Sequence, residues 1–328
     1  MKCINKWICL SLVAAILCVS GCGSASVAIE QPYDVYATAA DFGLSSNGSA
    51  ETKSYFASDL CVSEDVAIGT DSTDSQVAEG AGTFNLETNT VVYAKNLYER
   101  LYPASTTKIL TAYIALKYCD DLDAMVTVSE NAVDQASDSS VCNLKAGDVI
   151  RLRDLLYGLM LRSGNDAAVA IAEYISGDVD SFAALMNQEA AAMGATRSHF
   201  VNPNGLPDEN HYTCVYDMYL IFSNAVKNDT FVSIIGTTSY DVTYTDASGE
   251  AVTHTWENTN QYLTGNATTP DGFQIVGGKT GTTGEAGYCL VLYSYNPSGQ
   301  PIISIAFKAD GKSKLYLLMN EMLQGFAI

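Results

Sequence analysis

A serine and a lysine stand three residues apart in the segment Ser105-Thr106-Thr107-Lys108. If the segment is helical, that spacing puts both side chains on one face. A serine hydroxyl is a weak nucleophile until a neighbouring base removes its proton, and a lysine is such a base when burial and nearby cations keep it partly neutral. The pair therefore predicts nucleophilic chemistry, with Ser105 as nucleophile and Lys108 as base. Taken alone, the motif also fits a helix-capping serine followed by a solvated lysine.

A second polar motif, Ser163-Gly164-Asn165, separates two apolar segments with helical spacing. A polar tripeptide that contains glycine is typical of a turn in that position. In a catalytic interpretation, the Ser163 hydroxyl relays protons and the Asn165 side-chain amide holds an amide of the substrate. In a structural interpretation, the motif is a helix–helix connection in which Asn165 caps the second helix.

The third motif is Lys279-Thr280-Gly281-Thr282, which follows a short apolar run and is predicted to lie on a strand. One lysine and two hydroxyls in this arrangement suit the binding of a carboxylate. Gly281 carries no side chain, so a ligand can approach the backbone closely. All four residues are therefore candidate substrate-binding residues. The alternative is a glycine-rich loop on an exposed edge.

The elements that must position these motifs follow from the spacing of apolar residues. Helical spacing occurs in six segments, which are residues 105–119, 152–161, 166–175, 181–193, 217–225 and 314–323. Strand character occurs in five segments, which are residues 83–86, 90–93, 274–276, 288–295 and 302–307. The polar, glycine-rich stretch 72–82 is predicted to be an exposed loop. A mostly helical middle between N- and C-terminal strands predicts an α+β fold, in which both chain ends contribute to one antiparallel sheet flanked by helices.

The composition favours a folded, acidic protein and excludes several classes of partner. Of the 328 residues, 48% are hydrophobic and 16% are charged, which is enough apolar material for a sizeable core. The formal net charge of −20 would repel phosphate backbones, so nucleic acid is not expected as a partner. The histidines His199, His211 and His254 show no metal-ligand spacing, so neither a metal nor another cofactor is predicted.

The first 22 residues have the features of a lipoprotein leader. Lys2 and Lys6 precede an apolar run over residues 7–19, which at about 13 residues is too short to span a bilayer and predicts a signal peptide. The run is followed by Cys22 at the end of the sequence VSGC, which resembles the lipobox of bacterial lipoproteins. In those proteins the cysteine is diacylated, and two acyl chains are enough for stable membrane anchoring.

These features divide the chain into three predicted parts. Residues 1–21 are the signal peptide, residues 22–54 are the lipidated Cys22 and a flexible tether, and residues 55–328 are the catalytic domain. The predicted location is outside the cytoplasm, on the cell membrane of a bacterial envelope, with the membrane contacted through the N-terminal lipid. The alternative is an ordinary signal peptide cleaved near Ala25, so that Cys22 is lost.

The three motifs occur in the order S-x-x-K, S-x-N and K-T-G, separated by 58 and 116 residues. This order is the signature of penicillin-binding proteins and β-lactamases. Longer stretches resemble the D-alanyl-D-alanine carboxypeptidase family of low-molecular-weight penicillin-binding proteins, namely YPASTTKILTAYIAL, LLYGLMLRSGNDAAVAIAEYISG, HFVNPNGLPDENHY and GGKTGTTGEAGYCLVLYS. The similarity extends from about residue 78 to about residue 324, roughly three quarters of the chain.

This resemblance implies a β-lactamase/transpeptidase-like fold and a role for each motif residue. Ser105 would be the acylated nucleophile and Lys108 its base. Ser163 and Asn165 would complete proton transfer and hold the peptide. The terminal carboxylate of the substrate would be bound by Lys279, Thr280 and Thr282. The backbone N–H groups of Ser105 and Thr282 would form the oxyanion hole.

The implied reaction is removal of the terminal D-alanine from peptidoglycan stem peptides that end in D-Ala-D-Ala, through an acyl-enzyme on Ser105. β-Lactam antibiotics would acylate the same serine as substrate mimics. Two alternatives stay open, a serine β-lactamase and a non-catalytic lipoprotein that binds wall peptide. Class A β-lactamases carry a deacylating glutamate in an E-x-x-L-N context, which residues 199–206 of this chain lack.

One position departs from the family pattern. After the stretch NPNGLPDENHY, members of the family often read S-T-A-R-D, and the arginine of that segment helps to hold the substrate carboxylate. The corresponding segment here is residues 213–217, in which Tyr216 stands at the position of the arginine. A tyrosine cannot replace a bidentate cation. Carboxylate binding would therefore depend on Lys279, Thr280 and Thr282. The nearby His211 is expected to form structural hydrogen bonds.

Overall fold

Strands from both ends of the chain pair into one antiparallel sheet. The computed structural model describes residues 57–328. Its strands are β1 (Ala78–Asn85), β2 (Thr90–Lys95), β3 (Met125–Thr127), β4 (Val149–Arg151), β5 (Ser239–Thr245), β6 (Ala251–Glu257), β7 (Gln274–Thr283), β8 (Gly287–Tyr295) and β9 (Pro301–Ala309). Five of them form the main sheet in the order β2-β1-β9-β8-β7, so β7 lies at one edge. The predicted α+β fold, with a sheet made from N- and C-terminal strands, is confirmed.

Eight α-helices lie within residues 57–328. They are α1 (Lys108–Tyr118), α2 (Glu130–Val133), α3 (Leu152–Tyr157), α4 (Asn165–Ser176), α5 (Val179–Ala192), α6 (Val215–Ala225), α7 (Asp229–Ile235) and α8 (Lys312–Phe326). A 3₁₀ turn at Ala104–Thr107 precedes α1, and a π-helical segment at Gly158–Arg162 continues α3. All six predicted helices are present, with ends that differ by a few residues.

Both faces of β8 and β9 are covered, which explains why these strands are almost continuously apolar. Side chains alternate between the two faces along a strand. Leu290 and Ile302 pack with residues of α8 on one face of the sheet. Their neighbours Val291 and Ile303 belong to the larger core on the other face. The sheet is therefore the middle layer of the fold.

A second antiparallel sheet, with strand order β3-β4-β5-β6, lies inside the region predicted to be mostly helical. Sequence reasoning missed it because β3 and β4 are only three residues long, too short for a pattern. On β5 the buried Val242 and Tyr244 alternate with exposed neighbours, which is the period-two signal of a half-buried strand. β5 could therefore have been predicted from the sequence, unlike β3 and β4.

The exposed loop predicted at residues 72–82 is wrong in its second half. β1 begins at Ala78, and both Ala78 and Ala81 are buried. A Cβ at Gly82 would lie 2.8 Å from the Cδ2 methyl of Leu97, so the missing side chain permits close packing of the strand. Glycine at this position permits tight packing of a strand, whereas the sequence pattern indicated an exposed loop.

The predicted N-terminal parts, namely the signal peptide 1–21, Cys22 and the tether 22–54, lie outside the described residues, as does the predicted domain start at residue 55. Contacts group Asp59–Ile328 into one unit. In the described part of the chain, no helix has both the length and the apolar sequence needed to cross a bilayer.

Candidate active site

The turn that carries Ser105 has a constrained backbone. Ala104, the first residue of the 3₁₀ turn, has a positive φ of 47°, a conformation that costs a residue with a side chain about 1–3 kcal/mol and persists only where its surroundings fix it. Gly205 supplies one such contact, because a Cβ at that position would collide with the Ala104 carbonyl group. The packing thus fixes Ser105 within the 3₁₀ turn, three residues before α1 begins at Lys108.

Lys108, the first residue of α1, is fully buried with its amine beside the Ser105 hydroxyl. Its Nζ donates to Ser105 Oγ at 3.0 Å, to Asn165 Oδ1 at 2.7 Å and to the backbone carbonyl of Asn204 at 2.6 Å. Burial, and then the charge of nearby Lys279, hold the pKa of Lys108 well below the usual value for a lysine. The neutral amine is therefore far more accessible than it is for a lysine in water.

The second motif forms the turn between the π-helical segment and α4. Ser163 adopts the left-handed conformation, with φ of 62°, at the end of that segment, and Asn165 begins α4. Asp166 fixes the adjoining loop, because its carboxylate accepts from the backbone N–H groups of Cys142 and Leu144. The turn is thereby held with Asn165 toward Lys108 and the Ser163 hydroxyl toward the third motif.

Lys279 lies on β7 and is also fully buried. Its Nζ donates to Ser163 Oγ at 3.0 Å and to the Thr280 backbone carbonyl at 2.9 Å. Burial lowers the pKa of Lys279 to about 7. Each of the two buried lysines, with its lowered pKa, is therefore hydrogen-bonded to a different serine: Lys108 to Ser105 and Lys279 to Ser163.

Gly281 brings β7 directly against the Ser105 turn. A Cβ at Gly281 would lie 3.0 Å from the Pro103 carbonyl oxygen and 3.0 Å from the Ser105 backbone nitrogen. Any side chain would push β7 away from the Ser105 turn, so this close contact requires a glycine. Thr282, the next residue, is exposed and lines the adjoining cavity. The backbone N–H groups of Ser105 and Thr282 are thus brought into one neighbourhood.

A cavity of about 400 Å³ opens at this point. Ser105 and Asn165 line it, together with the loops 138–140 and 204–207 and with residues 282–285, where β7 ends and the following turn begins. The lysines stand behind this surface, shielded from water. A ligand in the cavity would contact the Ser105 hydroxyl directly and reach the lysines through the hydroxyls and amide that line the site.

The structure brings the predicted residues of all three motifs together. They are Ser105, Lys108, Ser163, Asn165, Lys279, Thr280, Gly281 and Thr282. The arrangement can perform acyl transfer, since it supplies a nucleophile with an adjacent base, a hydroxyl for proton relay, and donors for an anion.

Two residues of the site were missed from the sequence. Asn204 accepts a hydrogen bond from Lys108 through its backbone carbonyl. Because every residue type has this carbonyl, no sequence pattern could have identified it. Thr259 places its hydroxyl oxygen 2.6 Å from that of Thr280, and nothing in the sequence connects the two residues across 21 positions.

Tyr216 does not line the cavity. Its hydroxyl donates to the Cys61 carbonyl at 2.8 Å, and its ring packs against Tyr98 and Tyr219. The side chain is part of an aromatic cluster packed on α6, which agrees with the expectation that Tyr216 does not take over the role of the family arginine.

His211 is buried and uses both ring nitrogens. Its Nδ1 accepts from the Val201 backbone N–H at 3.1 Å, and its Nε2 lies 2.9 Å from the Thr107 hydroxyl. Burial lowers the pKa of His211 to about 4, so the ring is neutral at physiological pH. The side chain ties the 199–212 segment to the Ser105 turn, which agrees with the expected structural role.

Comparison with solved structures finds the same fold. The crystal structure of the Streptomyces K15 DD-transpeptidase superposes with a TM-score of 0.69 at 33% identity, covering 77% of this chain and 98% of that one. The crystal structure of the D-alanyl-D-alanine carboxypeptidase DacD from Francisella tularensis gives a TM-score of 0.67 at 28% identity, covering 81% of this chain and 72% of that one.

Sequence relatives agree with the structural ones. D-alanyl-D-alanine carboxypeptidase DacF of Bacillus subtilis (strain 168) is 33% identical over 251 residues, which is 75% of this chain and 61% of the relative's own length. The D-alanyl-D-alanine carboxypeptidase of Streptomyces sp. (strain K15) is 37% identical over 225 residues, which is 66% of this chain and 75% of the relative. A family profile described as D-alanyl-D-alanine carboxypeptidase matches residues 69–311. On this match, and on a site that unites its three motifs, the chain belongs to the D-alanyl-D-alanine carboxypeptidase family.

Proposed function

We propose that this chain is a serine-type D-Ala-D-Ala carboxypeptidase that removes the terminal D-alanine of peptidoglycan stem peptides. It acts through an acyl-enzyme on Ser105 and is inhibited by β-lactams. The observation that carries the proposal is the position of the Lys108 amine, which two carbonyl oxygens hold beside the Ser105 hydroxyl. The names of the relatives from Bacillus and Streptomyces supply the substrate.

The surroundings of Lys108 direct its lone pair toward the nucleophile. A neutral amine has two N–H groups and one lone pair. The oxygens of Asn165 and Asn204, at 2.7 and 2.6 Å, can only accept hydrogen bonds and therefore occupy both N–H groups. The lone pair is left for the third neighbour, the Ser105 hydroxyl at 3.0 Å. This geometry supports Lys108 as the base that removes the serine proton.

In acylation, Ser105 Oγ attacks the carbonyl carbon of the penultimate D-alanine, and its proton passes to Lys108. The negative charge that develops on the carbonyl oxygen faces the backbone N–H groups of Ser105 and Thr282, and each such donor typically contributes about 2.7–4 kcal/mol. As the C–N bond breaks, the leaving amine takes up the proton that Lys108 accepted, with the Ser163 hydroxyl as relay, so that Lys108 is neutral again when D-alanine departs. Water then hydrolyses the ester on Ser105 and releases the shortened peptide.

The terminal carboxylate of the substrate binds at β7. A carboxylate placed beside Lys279 favours the protonated amine and raises its pKa above the value in the empty site. Thr280 and Thr282 are two residues apart on the strand, so their hydroxyls share one face. Because β7 is an edge strand, an extended peptide can add to the sheet along it.

Purified protein incubated with a D-Ala-D-Ala pentapeptide is expected to release free D-alanine, which a D-amino-acid oxidase assay quantifies. A fluorescent penicillin is expected to leave a long-lived adduct visible on a denaturing gel. Rapid antibiotic turnover without an adduct would indicate the β-lactamase alternative. Penicillin and peptide binding with no D-alanine release would indicate a non-catalytic binder.

The proposal includes a location in the cell envelope, with the lipid on Cys22 as the anchor. The support is the leader sequence, in which an apolar run ends at the lipobox-like VSGC. Cells fed an alkyne fatty acid are expected to label the wild-type protein and retain it in the membrane fraction. Cys22→Ala should lose the label and leave the membrane, whereas Cys18→Ala, a cysteine in the same run, should behave as wild type. A label that survives Cys22→Ala would contradict the anchor.

A further inference from the structure

A hydroxyl outside the three motifs touches the site. The segment Asn258-Thr259-Asn260 follows β6, and Thr259 Oγ1 lies 2.6 Å from Thr280 Oγ1 on β7. We propose that Thr259 is a positioning residue for carboxylate recognition, which orients the Thr280 hydroxyl toward the carboxylate of a bound ligand. The inference rests on the proposed function, since it specifies how that site distinguishes a ligand with a free carboxylate from one without.

The segment that carries Thr259 is fixed by two buried asparagines. The Asn258 side chain donates to the Thr237 carbonyl at 2.9 Å, and its backbone N–H donates to the Thr238 carbonyl at 2.8 Å. Its Oδ1 accepts from the Asn260 backbone N–H at 2.9 Å. Asn258 and Asn260 are 6% and 0% exposed. Thr259 between them is therefore presented to β7 from a rigid support.

The Thr280 hydroxyl is placed to meet a ligand on the same face as the cavity. Side chains two apart on a strand point the same way, so Thr280 shares its face with Thr282, which lines the cavity. Ser105 lies level with Gly281, the residue between the two threonines, so a ligand bound at Ser105 would have Thr282 on one side along β7 and Thr280 on the other. Thr280 is the hydroxyl that lies beside Thr259.

The single proton of each hydroxyl explains why Thr259 matters. To bind a carboxylate, Thr280 must donate its proton to the ligand, because a carboxylate only accepts. Its oxygen remains free to accept, and the Thr259 hydroxyl is at the right distance to donate to it. This relay directs the Thr280 hydroxyl proton toward the ligand, because a hydroxyl proton otherwise rotates among the available acceptors. Removing the Thr259 hydroxyl should therefore weaken binding of carboxylate ligands alone.

The experiment compares two ligands on the wild type and on each variant. Second-order acylation rates are measured for benzylpenicillin and for its methyl ester, which lacks the carboxylate charge, by competition with a fluorescent penicillin. Thr259→Val removes the hydroxyl and keeps the shape, and it is expected to lower the rate with benzylpenicillin about tenfold, the effect of one lost hydrogen bond. The rate with the ester should change less than about twofold. Thr259→Ser keeps the hydroxyl and should restore the rate with benzylpenicillin.

The ratio of the two rates within one protein corrects for partial unfolding of a variant. Thr259→Ala gives the same comparison with a smaller side chain, and Thr245→Val, which changes an exposed threonine on β5, is the matched control. An unchanged ratio in Thr259→Val, or an equal loss with both ligands, would overturn the inference while wild-type acylation still supports the proposed function. Absence of any adduct and of D-alanine release from the wild type would overturn both.

Discussion

Ser105→Ala is expected to abolish formation of the penicillin adduct and to lower D-alanine release by about 10⁴-fold or more, as is typical when a catalytic nucleophile is removed. The reason is that, among the hydroxyls that line the cavity in the described part of the chain, only that of Ser105 is hydrogen-bonded to a lysine amine. Ser163, whose oxygen lies 3.0 Å from the Lys279 amine, does not line the cavity. Mass spectrometry of protein treated with penicillin and the D-amino-acid oxidase assay measure the two effects.

The loss should occur without loss of the fold. In the variant, the Lys108 amine still donates to the oxygens of Asn165 and Asn204. We therefore expect a thermal unfolding midpoint within a few degrees of the wild type, corresponding to about 1 kcal/mol or less. Ser298→Ala, which changes an exposed serine in the turn between β8 and β9, is the matched control and should keep full activity. Adduct formation that persists in Ser105→Ala would assign the nucleophile to another residue.

Sequence reasoning succeeded where local chemistry sets the structure. The spacing of Ser105 and Lys108 requires only one helical turn, and the structure supplies it as a 3₁₀ turn followed by α1. Likewise, a glycine between two polar residues at 163–165 forms a turn for reasons contained in the tripeptide itself. The prediction that the three motifs meet in space came from the resemblance to a family. The 58 and 116 residues between the motifs do not by themselves fix any tertiary contact.

The parts that could not be predicted depend on distant backbone. The Asn204 carbonyl lies 96 positions from Lys108, and any residue type could supply it. The sequence predicts that Gly281 makes room for a ligand, whereas in the structure its missing side chain permits close contact with Pro103 and Ser105. Gly82 falls in a predicted loop, and its place on β1 depends on pairing with the distant β9 and on close packing against Leu97. In each case the deciding neighbour is remote in sequence.

Lys108→Arg is expected to slow acylation of Ser105 by about 10²–10⁴-fold, the usual contribution of a general base. An arginine keeps the positive charge but stays protonated at any pH used, so it has no lone pair to accept the serine proton. Lys108→Met, which removes the charge at similar length, should show a loss of the same order. Lys117→Arg, on the exposed side of the same helix, is the matched control and should retain wild-type rates. The measurement is the second-order rate of adduct formation with a fluorescent penicillin.

The pH dependence of the same rate separates a base from a merely structural cation. A base must be unprotonated, so the wild-type rate should rise with pH through the lowered pKa of Lys108. Lys279 must be protonated to attract a carboxylate, so the rate should fall as pH rises through its pKa of about 7, which gives a bell-shaped profile. The acid limb should disappear in Lys108→Arg, and raising the pH should not restore its rate. A variant that kept the acid limb, or recovered at high pH, would show that some other group removes the proton, and the two carbonyl oxygens around Lys108 would then serve only to hold a buried charge.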